Sequence, residues 1–448
     1  MSSHTPALRG GPWSARPSPR RAAQLGGAAA AAVLLVLGVV EGPAAAGLGM
    51  LALVAAVAAF RHPYVIGPLV AVLLPVEVPL KTAVAGGALG YAARLLTRRQ
   101  ELRLRPAHWT FALFVAWVAL STLNPGPDSL QVRDLLFWGA LGFVFHAVTT
   151  HLRGRRERRL LLVGLAAAAL TEASFALFQY VDRWSDRFSR LSGAIVFPLP
   201  EGTLDHANAL AQFLVLAAFA VLALALADTP PVRRVGFLVV GASSLALLVT
   251  FSRASWVAFV AAAAVYLLDR RSRAPVLTAG GLGVAAGAVL ALTGTGAIGA
   301  RISSLFTAPV SGLSDFRLEL AERAARSAAD HPLLGTGRFE EVGTYAGRLD
   351  LALHPHNLFL GLAVFFGIPA ALAFGALVLL AARAALGGIR NRAGSERLAA
   401  VGALAFLVAL LVNGLFEYPF FSPSLKTLIV VGLAAVLRPP CLADHDPG

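Results

Sequence analysis

Two histidines, His354 and His356, stand two residues apart where a long polar segment gives way to an apolar run. On an extended stretch such residues point to the same side of the backbone. Because an imidazole exchanges protons near neutral pH, the pair indicates a catalytic or substrate-contacting site, with His356 as the leading candidate. Purely structural histidines are the alternative. A metal site is not predicted, since a third ligand, such as Asp205 or His206, would have to come from another loop.

Arg253 is the second candidate, in a Ser252-Arg253 step where one apolar run turns directly into the next. A guanidinium group is costly in hydrocarbon, and its planar fork matches pairs of phosphate oxygens. We therefore predict that Arg253 binds an anion, and the alternative is a side chain that reaches out to lipid headgroups. Arg190 and Arg317, on two other polar segments, are predicted to contribute to the same site.

Four further residues are predicted to contact substrate. Asn208 begins an apolar run, Asn357 follows His356, and His354 precedes it. Glu172 lies near the middle of the run 159–181, and a carboxylate at that depth faces the interior of a helix bundle. There it either ties helices together or lines a substrate groove.

The elements that must position these residues are membrane helices. The 448 residues are 57% hydrophobic and only 14% charged, more apolar surface than a soluble domain of this size can bury. Runs long enough to cross the hydrocarbon core recur along the chain, which predicts an all-α bundle of 12–14 spans. The predicted spans lie near 22–41, 44–60, 64–80, 82–96, 107–123, 132–150, 159–181, 206–227, 234–250, 253–269, 275–296, 356–382, 397–416 and 422–438. The pair within 64–96 is either two spans or a re-entrant hairpin.

The predicted organisation has five parts. They are a disordered cytoplasmic tail at 1–21, helices at 22–296, an extracytoplasmic loop at 297–355, helices at 356–438 and a cytoplasmic tail at 439–448. Within the loop, apolar spacing predicts an amphipathic helix at 315–329. Glu319–Arg323 and Glu322–Arg326 stand four residues apart along this helix and are predicted to form ion pairs.

The formal charge of +14 has a topological explanation. Of the 38 Arg and Lys residues, 25 fall in the two tails and every second loop, and the acidic residues show the opposite bias. Such loops are cytoplasmic by the positive-inside rule, so we predict that both termini are cytoplasmic, that the candidate site faces outward, and that no nucleic acid binds. Chemistry on that side has no ATP and requires an already activated substrate. Cys441 is the single cysteine, so no intrachain disulfide forms.

These residues resemble the O-antigen ligase and O-antigen polymerase-like membrane proteins over about 190–385. The resemblance lies in His356-Asn357 followed by nine residues and Gly367, and in the Ser252-Arg253 step. Two further motifs of this kind are the segment 330–339 and the pattern from Gly202-Thr203 to Asn208-Ala209. Three features depart from the family. Phe365 or Phe366 occupies the acidic position before the glycine, Ala370 replaces a second glycine, and the segment 190–202 is longer than usual.

The resemblance implies transfer of an oligosaccharide from a polyprenyl-diphosphate donor to a lipid-core or glycan acceptor, at the outer face of a bacterial cytoplasmic membrane. It further implies an inverting reaction that needs neither metal nor cofactor. His356 would accept the proton of the acceptor hydroxyl or orient that hydroxyl, with a carboxylate base as the alternative. Arg253 and Arg317, with Arg190, would stabilise the departing diphosphate. The competing hypotheses are a polymerase of the same family, a transporter or lipid flippase, and a non-catalytic envelope assembly partner.

Overall fold

The protein is an α-helical bundle. The computed structural model describes residues 43–98, 102–123, 129–182, 199–204, 206–270, 273, 313–337, 344–345, 348–352 and 355–438. These residues form 14 α-helices, which confirms the predicted fold class. The helices are α1 (Pro43–Arg61), α2 (Ile66–Val72), α3 (Glu77–Thr97), α4 (Pro106–Ser121), α5 (Ser129–His151), α6 (Arg155–Asp182), α7 (Ala207–Leu226), α8 (Pro230–Val249), α9 (Arg253–Val265), α10 (Leu313–Asp330), α11 (Leu358–Phe366), α12 (Ile368–Asn391), α13 (Gly394–Phe416) and α14 (Pro423–Leu437). Short 3-10 turns occupy Pro63–Val65, Tyr266–Leu268 and Pro419–Phe421.

The chain is a multi-pass membrane protein. Six of the described helices, α5, α6, α7, α8, α12 and α13, are long and apolar enough to cross a bilayer. Five shorter apolar stretches accompany them, at Gly47–Arg61, Pro63–Val72, Pro106–Ser121, Arg253–Leu268 and Pro423–Leu437. The predicted spans 22–41 and 275–296, together with both predicted tails, lie outside the described residues.

Three predicted spans have different boundaries in the structure. The pair within 64–96 turns at 73–76 and not near residue 81, because Pro75 cannot continue a helix, whereas Pro79 fits within the first turn of α3. Gly86-Gly87 does not interrupt α3. Gly86 instead packs against the backbone of Ala52 in α1, where a Cβ would not fit. The predicted span 356–382 is divided at Gly367 into α11 and α12.

Alternate loops gather into two groups, which we call the arginine-rich end and the His356 end. The arginine-rich end comprises the loop residues 61–62, 98, 102–105, 152–154, 227–229, 269–270 and 392–393, and the His356 end comprises 73–76, 122–123, 199–204, 206, 250–252, 332–337, 355–357 and 417–422. At the arginine-rich end, Arg159 Nη2 lies 2.8 Å from Asp228 Oδ1, and Arg397 Nε lies 3.2 Å from Asp269 Oδ1. The grouping matches the alternation that the charge pattern predicts. Which end faces the cytoplasm stays a prediction.

Helix α7 forms the centre of the bundle. It contacts α6, α8, α9, α13 and α14, and 89% of its most apolar 18-residue stretch is buried. Every side of this helix meets protein, which explains why its sequence is apolar all round. Its first residues lie at the His356 end.

Helix α10 is the amphipathic helix predicted at 315–329. Leu320, Ala324 and Ala328 form its buried face, and the helix packs against α11. On its exposed face the predicted ion pairs Glu319–Arg323 and Glu322–Arg326 are both present. A small antiparallel hairpin, β1 (Thr344–Tyr345) with β2 (Arg348–Ala352), follows in the same polar segment and was not predicted.

Candidate functional site

A backbone junction holds the polar segment against the start of α12. Thr336 N donates to Val364 O at 2.7 Å, and Ile368 N donates to Pro332 O at 2.9 Å. The junction needs glycine on both sides. Gly335 and Gly367 have φ of +63° and +93°, and a Cβ on Gly367 would overlap the backbone of Leu333. Two of the sequence motifs, 330–339 and the one that ends at Gly367, therefore form one structural unit.

His356 lies just before the start of α11, at the opposite end of that helix from Gly367, and forms a pair with a buried carboxylate. Its Nδ1 is 3.0 Å from Glu417 Oε2, and its side chain is 23% exposed against 5% for Glu417. The second carboxylate oxygen accepts a hydrogen bond from Asn208 Nδ2 at 2.8 Å. The segment before α11, the start of α7 and the end of α13 thus converge on one carboxylate.

The backbone around His356 is tightly determined. His356 has φ +47°, a left-handed conformation that is uncommon for a residue with a side chain and that recurs at functional sites. Asn357 begins α11, with its Oδ1 accepting from Leu360 N at 2.9 Å and its Nδ2 donating to Leu415 O at 3.4 Å. Asn357 therefore holds α11 against the end of α13, the same helix end that carries Glu417.

Arg253 begins α9 at the same end of the bundle. It is partly buried and follows Phe251, whose φ is +56°. Ser255 Oγ donates to Asn413 Oδ1 at 2.9 Å, which fixes the first turn of α9 against α13 one turn before Glu417. Helix α13 therefore connects the Arg253 turn to the His356–Glu417 pair.

Glu172 is fully buried and holds a loop. Its Oε2 accepts from Thr203 N at 3.0 Å, and the Thr203 hydroxyl lies between Glu172 Oε1 and Pro75 O. Two turns further along α6, Gln179 Oε1 accepts from Gly202 N at 2.9 Å. Of the two roles open for Glu172, this geometry matches the tying of segments. Its role as a substrate contact stays a prediction.

A cavity of about 330 Å³ opens beside the His356–Glu417 pair. It lies between the start of α7, the loop at 201–204 and the connection from α13 to α14. Its polar lining residues are Glu77, Thr203, His206, Asn208, Gln212, Glu417, Tyr418, Ser422 and Ser424. Of the predicted site residues that the structure describes, Asn208 alone lines this cavity.

Sequence reasoning did not assign Glu417 or Gln212 to the site. Glu417 stands at the end of an apolar run, which is a weak signal, and its partner His356 is 61 residues away in sequence. Gln212 gives a better signal, because it stands four residues after Asn208 in an otherwise apolar helix.

The structure does not place the side chains of three predicted site residues. Arg190 and His354 lie outside the described residues, as does Asp205. Arg317 belongs to the first turns of α10, but its side chain is outside the described part. In the described part of the chain, no three His, Cys, Asp or Glu residues are arranged to hold a metal ion.

Residues 236–375 match the family model described as O-antigen ligase. The matched range runs from α8 into α12 and contains Arg253, Arg317, His356 and Asn357, whereas Asn208 and Glu417 fall outside it. The resemblance predicted from the motifs is confirmed over this domain. No curated protein matches the chain.

Proposed function

We propose that this membrane protein, on the premise of its O-antigen ligase domain at 236–375, transfers an oligosaccharide from a polyprenyl-diphosphate carrier to an acceptor hydroxyl. The observation that carries the proposal is the His356–Glu417 pair, at 3.0 Å, at the same end of the bundle as Arg253. An imidazole, a buried carboxylate and a guanidinium group are the three groups that such a transfer needs.

His356 is the proposed proton acceptor. The acceptor oxygen forms a bond to the anomeric carbon of the donor sugar while the bond from that carbon to the diphosphate oxygen breaks. The diphosphate leaves with the electron pair, and the acceptor proton moves to Nε2 of His356. Glu417 holds the hydrogen on Nδ1 and stabilises the imidazolium that forms. Attack from the face opposite the leaving group inverts the anomeric configuration.

Arg253 is the proposed contact for the diphosphate. Its guanidinium group stabilises the negative charge that develops on the leaving oxygen, and Arg317 and Arg190 are proposed to add to this effect. Asn208 acts as a positioning residue through its hydrogen bond to Glu417. Asn357 positions His356 by holding the start of α11.

The His356 end is proposed to face the outside of the cytoplasmic membrane, with both termini in the cytoplasm. The arginine-rich end carries the cationic loops that this orientation places inside. The acceptor is a lipid core or a glycan, and its identity separates a ligase from a polymerase of the same family.

A reconstituted transfer assay tests the proposal. Purified protein in vesicles receives a polyprenyl-diphosphate-linked oligosaccharide with either a lipid core or the same linked glycan as acceptor. His356→Ala and Arg253→Ala should each abolish product. The matched controls are His62→Ala, at the arginine-rich end, and Arg323→Ala, on the exposed face of α10, and both should retain wild-type rates.

The outcomes separate the competing functions. Product on the lipid core supports a ligase, and a ladder of longer linked glycans supports a polymerase. Wild-type rates in both site variants would overturn the proposal. Movement of intact donor across the vesicle membrane without any product would support a transporter or flippase.

A further inference from the structure

We propose that the cavity beside Glu417 is the subsite for the acceptor sugar, and that the Gln212 amide forms a hydrogen bond with a hydroxyl group of that sugar. This inference rests on the proposed transfer function and names which substrate occupies which part of the site. Three features support it: the cavity lies beside Glu417, its described lining contains no Arg or Lys, and the buried Gln212 Oε1 has no hydrogen-bond partner among the described residues.

The cavity lies next to the His356–Glu417 pair. Glu417 and Asn208, joined by a 2.8 Å hydrogen bond, both line it. Glu417 is also the partner of His356 Nδ1. A molecule that fills the cavity therefore touches the carboxylate that orients the imidazole, and the acceptor hydroxyl must lie within reach of that imidazole.

The charge of the cavity does not suit the diphosphate. Glu77 and Glu417 line it, and neither Arg nor Lys appears among the described residues that do so. Lys81 forms an ion pair with Glu77 without lining the cavity, so Glu417 supplies the remaining negative charge. The Glu417 carboxylate in the lining would repel a diphosphate bound in the cavity, whereas a neutral sugar has no charge to be repelled. The donor phosphates thus belong near Arg253, outside this cavity.

Gln212 supplies the independent observation that points to a ligand. Its side chain lines the cavity and is 3% exposed, and its Oε1 has no hydrogen-bond partner among the described residues. Buried amides of this kind almost always find a partner. The terminal amide can be flipped by 180°, so that either its oxygen or its NH₂ group faces the cavity. A sugar hydroxyl donates and accepts, and it satisfies both orientations, whereas a phosphate oxygen only accepts.

The remaining lining fits a sugar as well. Tyr418 and Phe421 give the cavity aromatic surface beside its polar groups. Phe421 is 52% exposed, so its ring is not part of the packed core. A pocket with a few fixed polar groups and an aromatic wall orients a small polar molecule by hydrogen bonds and covers its apolar face.

Gln212→Met tests the inference by kinetics. Methionine keeps the length of the side chain and removes the amide. The KM for the acceptor should rise about tenfold, as for the loss of one good hydrogen bond, while the KM for the lipid-linked donor stays unchanged. Leu216→Met, one turn further along α7 and equally buried, is the matched control and should change neither constant. Transfer with an unchanged acceptor KM in Gln212→Met would overturn the subsite and leave the transfer function standing.

A labelling experiment tests the same subsite without turnover. Cys441→Ser removes the single cysteine, and Ala209→Cys then places one thiol in the cavity lining. Glucose, galactose or N-acetylglucosamine should slow maleimide modification of this thiol, and the protection should disappear when Gln212→Met is added. Inorganic pyrophosphate should give no protection. Protection by pyrophosphate and by none of the sugars would overturn the proposal. Protection by a sugar in a protein that transfers no glycan would support the subsite and contradict the function.

Discussion

At the scale of single residues, the site depends on one carboxylate with two partners. Glu417 is hydrogen-bonded to His356 through one carboxylate oxygen and to Asn208 through the other. It therefore fixes the imidazole relative to the central helix α7. The carboxylate is 5% exposed, and a buried charge of this kind is stable only when it is hydrogen-bonded. Its placement therefore determines the orientation of the proposed proton acceptor.

Glu417→Gln should lower the transfer rate strongly and leave the fold intact. Glutamine retains the shape and a hydrogen-bonding oxygen but lacks the charge that stabilises the imidazolium. We expect kcat to fall about a hundredfold or more, with little change in the KM for the donor. Initial rates at saturating donor measure the effect.

Asn208→Ala is the companion to that variant. It removes one of the two partners of Glu417 and leaves the charge in place, so it should reduce kcat less than Glu417→Gln does. A larger loss in Asn208→Ala would mean that Asn208 contacts the substrate directly and does not act through the carboxylate.

Asp228 at the arginine-rich end gives a prediction for stability and pH. Burial alone would raise the pKa of this carboxyl, but hydrogen bonds from Arg159 and from the Thr229 amide, with the charge of Arg155, lower it to about 2. A carboxyl whose pKa is lowered by folding stabilises the native state above its unfolded value of 3.8, and this contribution is lost as the pH falls towards 2.

Asp228→Asn should therefore lower the free energy of unfolding by about 1–2 kcal/mol at neutral pH. Between pH 5 and 8 the difference in Tm from wild type should be constant. From pH 4 towards pH 2 the two proteins should converge. Thermal unfolding in detergent across this range measures it, and a gap that widens on acidification would contradict the assignment.

At the residue level the sequence indicated the positions of candidate residues, and their roles stay predictions. Arg253, His356 and Asn208 stand at one end of the bundle because each begins or precedes a helix at an alternate loop. Glu172 shows the limit of this reasoning. Its depth in the run 159–181 was evident, but the sequence does not indicate that the Thr203 loop folds back onto it.

At the scale of elements, the junction between 332–337 and 364–368 positions the amphipathic helix α10. It joins the end of α10 to the break between α11 and α12 through backbone hydrogen bonds, and the Thr336 hydroxyl adds a donation to Val364 O at 3.3 Å. Trp117 adds a contact from α4, with its Nε1 donating to Leu333 O at 2.6 Å. Sequence analysis identified both motifs but predicted an unbroken span across Gly367, because glycine also occurs within membrane helices and its left-handed φ cannot be read from its identity.

Gly367→Ala should disrupt this junction. An added Cβ meets the Leu333 backbone in a conformation that residues with side chains rarely adopt, so we expect a loss of about 1–3 kcal/mol or more. The Tm should fall, and protease should cleave the polar segment around α10 faster. Gly387→Ala, also in α12, is the matched control, since a Cβ there meets nothing within 4 Å. Equal behaviour of the two variants would refute the role of the junction.

At the scale of the whole molecule, the charge pattern of the sequence and the fold divide the described loops into the same two groups. The contacts Arg159–Asp228 and Arg397–Asp269 join loops that sequence analysis placed on one side. The alternation of loops was predictable because every apolar run long enough to cross changes the side of the next loop. The hairpin of β1 and β2 was not predicted: the residues Arg348–Ala352 do alternate between polar and apolar, but so short a stretch beside a two-residue partner does not by itself indicate a strand.

Cysteine accessibility tests the proposed orientation. In a Cys441→Ser background, Leu123→Cys places a thiol at the His356 end and Leu102→Cys places one at the arginine-rich end, both at exposed positions. A membrane-impermeant maleimide added to spheroplasts should label the first and not the second, and detergent should expose both. The reverse pattern would invert the topology and contradict an outward-facing site.

The burial of α7 has a consequence for the proposed function. Five other helices surround α7 in the described part of the chain, so a polyprenyl chain is expected to pack against more peripheral helices than this one. Asn208 and Gln212 belong to α7, at the centre of the bundle. We therefore expect the proposed acceptor subsite to be the most rigid part of the site.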